Sequence, residues 1–415
     1  MAESMRRQLF LIFGFVFIEL LGYSLILPLL PFYAETFGAT LPIVGLLGTV
    51  NALSQLVAAP VVGRLSDRYG RRPLLIVSII GTFVSFLLLG LAGSLAVIFI
   101  SRALDGLFGG NVALARAYIT DVTDERDRAP ALGIIGAAFG LGFIIGPAMG
   151  GFLSQYGYNV PALVAALLSL VNLAAVVLWL PESLTAEARE QVRTSPRTAF
   201  TLGALWEALH QPCCADLLRV GLVYSLAFGL FQSNFALWAK TRLGLDAQGT
   251  SYVLTYVGIL SVLVQGAAIG RLVNRFQERT LILAASFILA VALGAWALTR
   301  NVVSLLLVLA PIALAAGVLN TALPSQLTKS VRPEEIGGIL GLSTSLQTLA
   351  QIVAPGTGGI LLDKVGPAAL GTLASLLMVW AGWFAWQRIV RQPSSASPGM
   401  GPAPQLSSGP TGVEQ

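Results

Sequence analysis

Apolar runs long enough to cross the hydrocarbon core of a bilayer, about 20 residues of helix, recur along almost the whole chain. Twelve are read, at about 8–30, 42–62, 73–93, 96–119, 129–153, 160–180, 217–240, 250–270, 279–299, 302–325, 335–361 and 367–387. None carries the sustained two-residue alternation of a transmembrane β-strand, so the pattern predicts spanning helices. Between runs six and seven it lapses into a polar stretch with Arg189, Arg193 and Arg197, which predicts a linker with one surface helix near 199–210. The Pro-, Ser- and Gly-rich end of the chain predicts a disordered tail. The expected division is therefore 1–181, a six-helix bundle; 182–215, the linker; 216–391, a second six-helix bundle; and 392–415, the tail.

Composition strengthens this reading. The chain is 55% hydrophobic with a mean hydropathy of +0.79, against roughly 45–50% apolar residues in soluble domains. Only 11% of residues are charged. Nineteen of the 25 Lys and Arg residues lie on the side of Arg6, Arg7 and the 63–72 elbow, whereas Lys240, Arg242, Arg300 and Lys364 hold the other. The positive-inside rule then puts both termini and the linker in the cytoplasm. The basic balance is topological and calls for no nucleic acid. The first run is too long for a cleaved leader and lacks a small-residue cleavage site, so it reads as an uncleaved span. Arg outnumbers Lys 22 to 3, which points to a GC-rich bacterial genome and a cell-membrane location. The adjacent Cys213 and Cys214 exclude a disulfide framework. His210, the one histidine, reads as a solvated loop residue.

Charge is densest at Gly63-Arg64-Leu65-Ser66-Asp67-Arg68-Tyr69-Gly70-Arg71-Arg72-Pro73, a loop between runs two and three, and a weaker copy stands at Gly270–Phe276. Arg64 and Arg271 are 207 residues apart. Gly146-Pro147-Ala148-Met149-Gly150-Gly151 in span five matches Ala354-Pro355-Gly356-Thr357-Gly358-Gly359 in span eleven, 208 residues on. The acidic loop 121–128 corresponds to 330–335 at nearly the same offset. Such a parallel repeat of six spans puts a substrate path at the interface of the halves.

In these features the chain resembles the major facilitator superfamily, and within it the twelve-span drug–proton antiporters, especially the tetracycline–proton antiporter branch. The residues are Gly22, Pro28 and Pro31 at the end of span one, Gln55, Ala59 and Pro60 in span two, Gly63–Pro73, Arg102 in span four, and Gly142, Gly146, Pro147, Gly150 and Gly151 in span five. The resemblance implies an all-α membrane protein of twelve transmembrane helices in two pseudo-symmetric six-helix bundles. It also implies an acid in the region of Glu19, a coupling role for Arg102, an Arg71–Asp121 pair, and an antiporter type of span five. The tetracycline exporters carry an aspartate in span three and another in span nine. Neither run here contains an acid, which favours a generic amphipathic substrate over a metal–tetracycline chelate.

Of the 20 acidic residues, Glu19 and Asp105 lie well inside the runs. A carboxylate at mid-membrane must pair, titrate or face water. Glu19 lies about 18 Å along a helix from Arg7 and is the first candidate for proton coupling, with static pairing to an arginine as its rival. Arg102, Asp105, Gly109 and Arg116 fall at spacings that put them on one helix face. Arg102 and Asp105 can touch at i,i+3, and Glu19 is the expected outside partner for this charge. Arg116 reads either as an anchor for an anionic substrate group or as a group holding Glu19 ionised. Gly63, Asp67, Arg68, Gly70, Arg71, Arg72 and Asp121 form a candidate gating latch, with Asp67 facing the N-terminus of span eleven.

Gly142, Gly146 and Gly150 recur every four residues and predict close helix packing, with a bend at Pro147. Ala350 and Ala354 replace glycine around Pro355, so packing is expected to be looser in the duplicate. Gln55, Gln232, Asn234, Tyr256, Gln265, Asn320 and Gln347 are candidates for a substrate pocket, each equally readable as an interhelical hydrogen bond. No nucleotide loop, metal cluster or nucleophile–base set is present, so an enzyme is not expected. The reading is a proton-coupled exporter of small amphipathic compounds, with a small molecule, protons and the bilayer as partners, no cofactor beyond the proton gradient, and a monomeric state. A metabolite or lipid-like solute carrier, including a symporter, and a non-transporting membrane sensor remain as alternatives.

Overall fold

The computed structural model describes residues 2–184, 214–331 and 336–391. Cys213, His210, the 199–210 helix, almost all of the linker and the tail lie outside these residues. Every element among them is helical. The first half contains α1 (Ala2–Ile26), a short α2 (Leu30–Glu35), α3 (Leu41–Tyr69), α4 (Arg71–Gly90), α5 (Leu95–Phe108), α6 (Asn111–Val122), α7 (Glu125–Leu153) and α8 (Asn159–Trp179). The second contains α9 (Ala215–Leu243), α10 (Ala247–Leu263), α11 (Ile269–Arg275), α12 (Glu278–Leu298), α13 (Val302–Thr328), α14 (Ile336–Lys364) and α15 (Pro367–Ala385). Taking α5 with α6 and α10 with α11 as single spans, eleven are long and apolar enough to cross a membrane. The twelfth, α14, is 29 residues long and stands at run eleven.

Three local outcomes differ from the sequence pattern. The expected 63–73 loop is almost entirely helix: α3 continues to Tyr69 and α4 starts at Arg71, with Gly70 alone between them. Gly70 has a φ of +108°, which a side chain rarely adopts, so one residue makes the turn. The second difference is in span four, which is broken at Gly109 and Gly110, residues of poor helix propensity standing in sequence. The third is in span eight, where Val264–Ala268 forms a π-helical turn between α10 and α11. By contrast α7 runs unbroken through Pro147. Side chains close other helix starts: Asp246 accepts from the Gly249 N–H at 2.7 Å and Asn301 from the Ser304 N–H at 2.8 Å.

Within the first bundle, α1 packs on α7 and α8, and α4 on α8 and α5. The equivalent second bundle joins α9 to α14 and α15, and α12 to α13 and α15. Between bundles, the main contacts are α3 with α14 and α7 with α10, which exchange under the repeat. Both are backbone approaches. A Cβ on Gly45 or on Gly258 would collide with the Pro355 or Phe143 carbonyl oxygen, and one on Gly359 would stand 2.6 Å from the Leu41 oxygen. Thr49 donates to the Ile352 carbonyl at 2.8 Å. The looser packing expected around Pro355 is therefore not found: opposite Ala350 and Ala354 the facing helix α9 supplies Gly229, and opposite Pro355 helix α3 supplies Gly45 and Gly48.

These contacts lie toward the end remote from the Arg71 elbow. There Leu29, Phe32, Ala236 and Ala247 form a small apolar cluster, and Glu35 pairs with Lys240 across the bundles. Toward the elbow the α3 face that carries Thr49 runs on through Pro60 and Gly63, the first exposed and the second with nothing within 4 Å of a Cβ position. The second core cluster, from Ile12 to Leu180, belongs to the first bundle alone. The bundles are thus joined at the remote end and parted toward the elbow.

Gly150 should tolerate a methyl group poorly, because its Cβ would strike the Leu25 carbonyl, whereas Gly14 has nothing within 4 Å. Gly150→Ala is expected to cost roughly 1–3 kcal/mol, and Gly14→Ala to be neutral or stabilising by up to about 1 kcal/mol, as read by thermal unfolding in detergent.

Candidate functional site

The break in span four organises a polar cluster inside the first bundle. Ending α5 at Phe108 frees carbonyl groups that a continuous helix would satisfy. The Ser78 hydroxyl donates to the Phe108 carbonyl at 2.5 Å, and Gln55 donates to that of Gly109 at 3.4 Å. Gln55 thus serves the backbone of span four. One turn before the break, Arg102 Nη1 meets Asp105 Oδ2 at 3.3 Å, with both residues buried. Asn51 from α3 donates to the same Asp105 oxygen at 2.9 Å and to the Arg102 carbonyl at 3.0 Å. Ser101 accepts from Arg102 Nη2 at 3.2 Å. Just after the break, Asn111 Nδ2 donates to Glu19 Oε1 at 2.5 Å and to Thr82 Oγ1 at 3.3 Å. Glu19 Oε2, Asn111 Oδ1 and Arg102 Nε are buried atoms without a partner.

This arrangement corrects two expectations. The partner of Glu19 is Asn111, not an arginine, because Arg102 is engaged by the nearer acid, Asp105. Arg116 is not part of this buried cluster: Gly109 and Gly110 break the helix between them, and Arg116 is exposed. Among the described residues it makes no ion pair. Asn51, Thr82 and Asn111 were not read from the sequence. The signal available was polarity at apolar depth, which single Asn and Thr residues carry no more strongly than the seven pocket candidates did.

At the elbow, Arg71 ties three segments. Its guanidinium reaches Asp67 at 2.6 Å, Asp121 at 3.0 Å and the Ser66 hydroxyl at 2.6 Å. The Arg71–Asp121 pair stands where the resemblance implied it. Glu182, read only as the start of the linker, accepts from the Arg71 and Arg72 backbone N–H groups at 2.9 and 3.3 Å. It closes the positive end of α4. Arg72 also donates to the Val177 carbonyl at 2.7 Å. Arg68 is exposed beside the Tyr69 ring. Gly63 has nothing within 4 Å of a Cβ position. The anticipated Asp67 contact with the start of span eleven involves residues 332–335, outside the described ones.

The second bundle repeats the Arg71–Asp121 pair with its charges exchanged. Glu278 begins α12 as Arg71 begins α4, 207 residues earlier, and pairs with Lys329 at 2.8 Å, as Arg71 does with Asp121. Ser325 donates to the same carboxylate at 2.6 Å. Span nine therefore does begin with an acid, one residue before the run read from the sequence, at the end of the helix and already bound.

The pocket candidates divide by environment. Gln265 and Asn320 line a cavity in the second bundle with Phe228, Phe231 and Ser261. Asn320 also borders a neighbouring cavity with Gln347, Tyr224 and Ser343. Gln265 stands on the π-helical turn, an irregularity common at functional sites. Asn234 instead is fully buried between α9 and α14, donating to the Leu230 and Ala354 carbonyls at 3.2 Å each. Tyr256 donates to the Leu306 carbonyl at 3.2 Å, joining α10 to α13. Gln232 is exposed. Among the described residues no group of acids, histidines and cysteines could hold a metal ion.

Span five keeps the face its glycines predicted: Ser24 on α1 donates to the Gly142 carbonyl at 2.7 Å, and a Cβ on Gly146 would strike that serine. Gly151 faces the other bundle, where a Cβ on it would stand 2.6 Å from Ser251.

Two six-helix bundles with an internal repeat, polar groups at mid-depth and a cleft between them define a multi-pass membrane transporter. The Major Facilitator Superfamily profile matches residues 12–355, and the chain belongs to that family. It is 29% identical to multidrug resistance protein 2 of Bacillus subtilis (strain 168), over 84% of this chain and 87% of that one. It is 31% identical to the class C tetracycline resistance protein of Escherichia coli, over 84% and 88%. The human organic anion transporter MFSD10 (TETRAN) shares the fold with a TM-score of 0.70 and 24% identity, covering 92% of this chain and 99% of that one.

Removing one partner of a buried pair leaves an uncompensated charge. Asp105→Asn, which strands Arg102, is expected to lose about 3–5 kcal/mol. Lys329→Gln, at a side chain 63% exposed, should lose no more than about 1 kcal/mol. Thermal unfolding of the purified variants separates the two.

Proposed function

We propose that the protein is a proton-coupled exporter of small amphipathic compounds, working by alternating access. The observation that carries this is Glu19: a carboxylate near the middle of the Gln8–Ile26 span, held by neutral groups led by the Asn111 amide, with its second oxygen buried and unpartnered. A carboxyl group so placed is costly as a fixed anion and is suited to taking and giving a proton. The nearby Arg102–Asp105 pair adds charge that responds to it. The second bundle supports the substrate side of the reading. Its cavity offers two aromatic rings, two amides and a hydroxyl without formal charge, a surface for an amphipathic ligand. The likeness to proteins named for multidrug and tetracycline resistance agrees with export.

With the elbow end in the cytoplasm, as the positive-inside rule puts it, the described arrangement is open inward. The elbow network then serves as the inner latch, and Glu35–Lys240 with the Phe32 cluster as the outer closure. The operating partners are a small molecule, protons and the bilayer, with the proton gradient in place of a cofactor and a single chain as the working unit. We assign it to the bacterial cell membrane with both termini inside.

In inverted vesicles energised with an acid interior, amphipathic compounds including tetracycline should collapse the pH gradient. Glu19→Gln should abolish that response at unchanged protein level, and retained coupling in this variant would remove Glu19 from the mechanism. No response from folded protein to any compound would favour a solute carrier or a sensor. Asn320→Leu should change which compounds respond while leaving coupling to those that remain. Lys240→Glu should open the outer end, raising labelling of Ser251→Cys, a site buried against Gly151 of the other bundle, by a membrane-impermeant reagent, and Glu35→Lys in the same chain should reverse it.

A further inference from the structure

We propose that Asn111 is a positioning residue for Glu19, its carboxamide giving the ionised carboxylate a donor and the protonated acid an acceptor. The inference rests on the reading of Glu19 as the coupling group. It starts from three buried facts: Asn111 Nδ2 donates to Glu19 Oε1, whereas Asn111 Oδ1 and Glu19 Oε2 have no partner. An ionised carboxylate only accepts hydrogen bonds, so the amide N–H suits it. A carboxylic acid also carries an O–H that needs an acceptor, and an amide oxygen can take it. Among the described residues of this cluster, Asn111 Oδ1 is the unused acceptor. The terminal amide torsion is soft, so turning the group exchanges donor for acceptor at Glu19.

Place in the fold makes this exchange consequential. Asn111 is the first residue of α6, directly after the Gly109–Gly110 break, and it is 1% exposed. Its Nδ2 also reaches Thr82 on α4, so the amide links α1, α4 and α6. A proton arriving at Glu19 then alters a contact at the point where span four is least constrained by helical hydrogen bonds.

The charged groups near Glu19 come from α5, as Arg102 and Asp105. The α6 charges are Arg116, exposed, and Asp121, held at the elbow. The other helices packed on α1, namely α7 and α8, carry no charge beyond the first turn of α7, and α4 none beyond Arg71 and Arg72. Arg102 is already paired with Asp105. The hydrogen bond from Asn111 is thus the larger of two direct stabilising contacts to the ionised form, the other coming from the Thr82 hydroxyl.

The test is infrared spectroscopy of the purified full-length protein as pH is raised, without substrate. The carboxylic acid C=O band that Glu19→Gln removes reports the protonated acid. In Asn111→Leu the donor to the ionised form is lost, so the band should persist to higher pH by half a unit or more. Asn111→Ala removes the same donor without adding bulk and should move it the same way, which covers failure of the leucine variant to fold. Asn172 donates an equally buried amide hydrogen bond to α1, at the Phe15 carbonyl, and Asn172→Leu should leave the band unmoved. A band unchanged in folded Asn111→Leu or Asn111→Ala overturns the proposal, as does an equal shift in Asn172→Leu. The two readings fail separately: coupled transport by Glu19→Gln would overturn the coupling role while a band shifted by Asn111 substitution still supports the positioning contact.

Discussion

Everything in this structure depends on how closely two pairs of helices can approach. Where α3 meets α14 and α7 meets α10, glycine lies against a carbonyl oxygen of the facing main chain, at Gly45 with Pro355 and Gly258 with Phe143. Bilayer lipid is as apolar as leucine, so burial alone gives helices little reason to associate. Association depends on contact between shapes. Concentrating the closest approach toward one end joins the bundles there and leaves Pro60 of α3 exposed and Gly63 without a near neighbour toward the other. A cleft follows from this distribution of small residues.

The same economy of contact determines where polar groups can be tolerated. Inside the first bundle, each carboxylate is met from a neighbouring helix by an amide, Asn51 for Asp105 and Asn111 for Glu19. Asp105 also has its arginine, and Glu19 has none. The two acids therefore differ in kind: one is held in a buried ion pair, and the other has a neutral partner and an unused oxygen. The second bundle has no acid at comparable depth. Its cavity is lined by neutral amides, a hydroxyl and aromatic rings.

Duplication explains the elbow ends. Arg71 with Asp121 and Glu278 with Lys329 occupy equivalent places with their charges exchanged. What the repeat preserves is the ion pair joining the start of one helix to the end of another. Either polarity meets that need, because Coulomb attraction is indifferent to which helix carries the cation. Their surroundings have diverged: Arg71 is a hub for Ser66, Asp67 and Asp121, whereas Lys329 is largely exposed.

The sequence by itself determined the helical membrane class, the repeat, the family and the isolation of Glu19 and Asp105 at depth. Each of these follows from composition or spacing along one chain, since lipid admits few residue types and few backbone forms. It also carried the Arg71–Asp121 pair through resemblance. Only the tertiary structure decided that Arg102 belongs to Asp105 and Glu19 to Asn111, that Arg116 stands exposed beyond the Gly109–Gly110 break, and that Asn234 is packed while Asn320 lines cavities. Those outcomes depend on which neighbour stands opposite a given helix face. A periodic pattern reports that a residue faces inward, and the identity of the group it meets comes from another part of the chain.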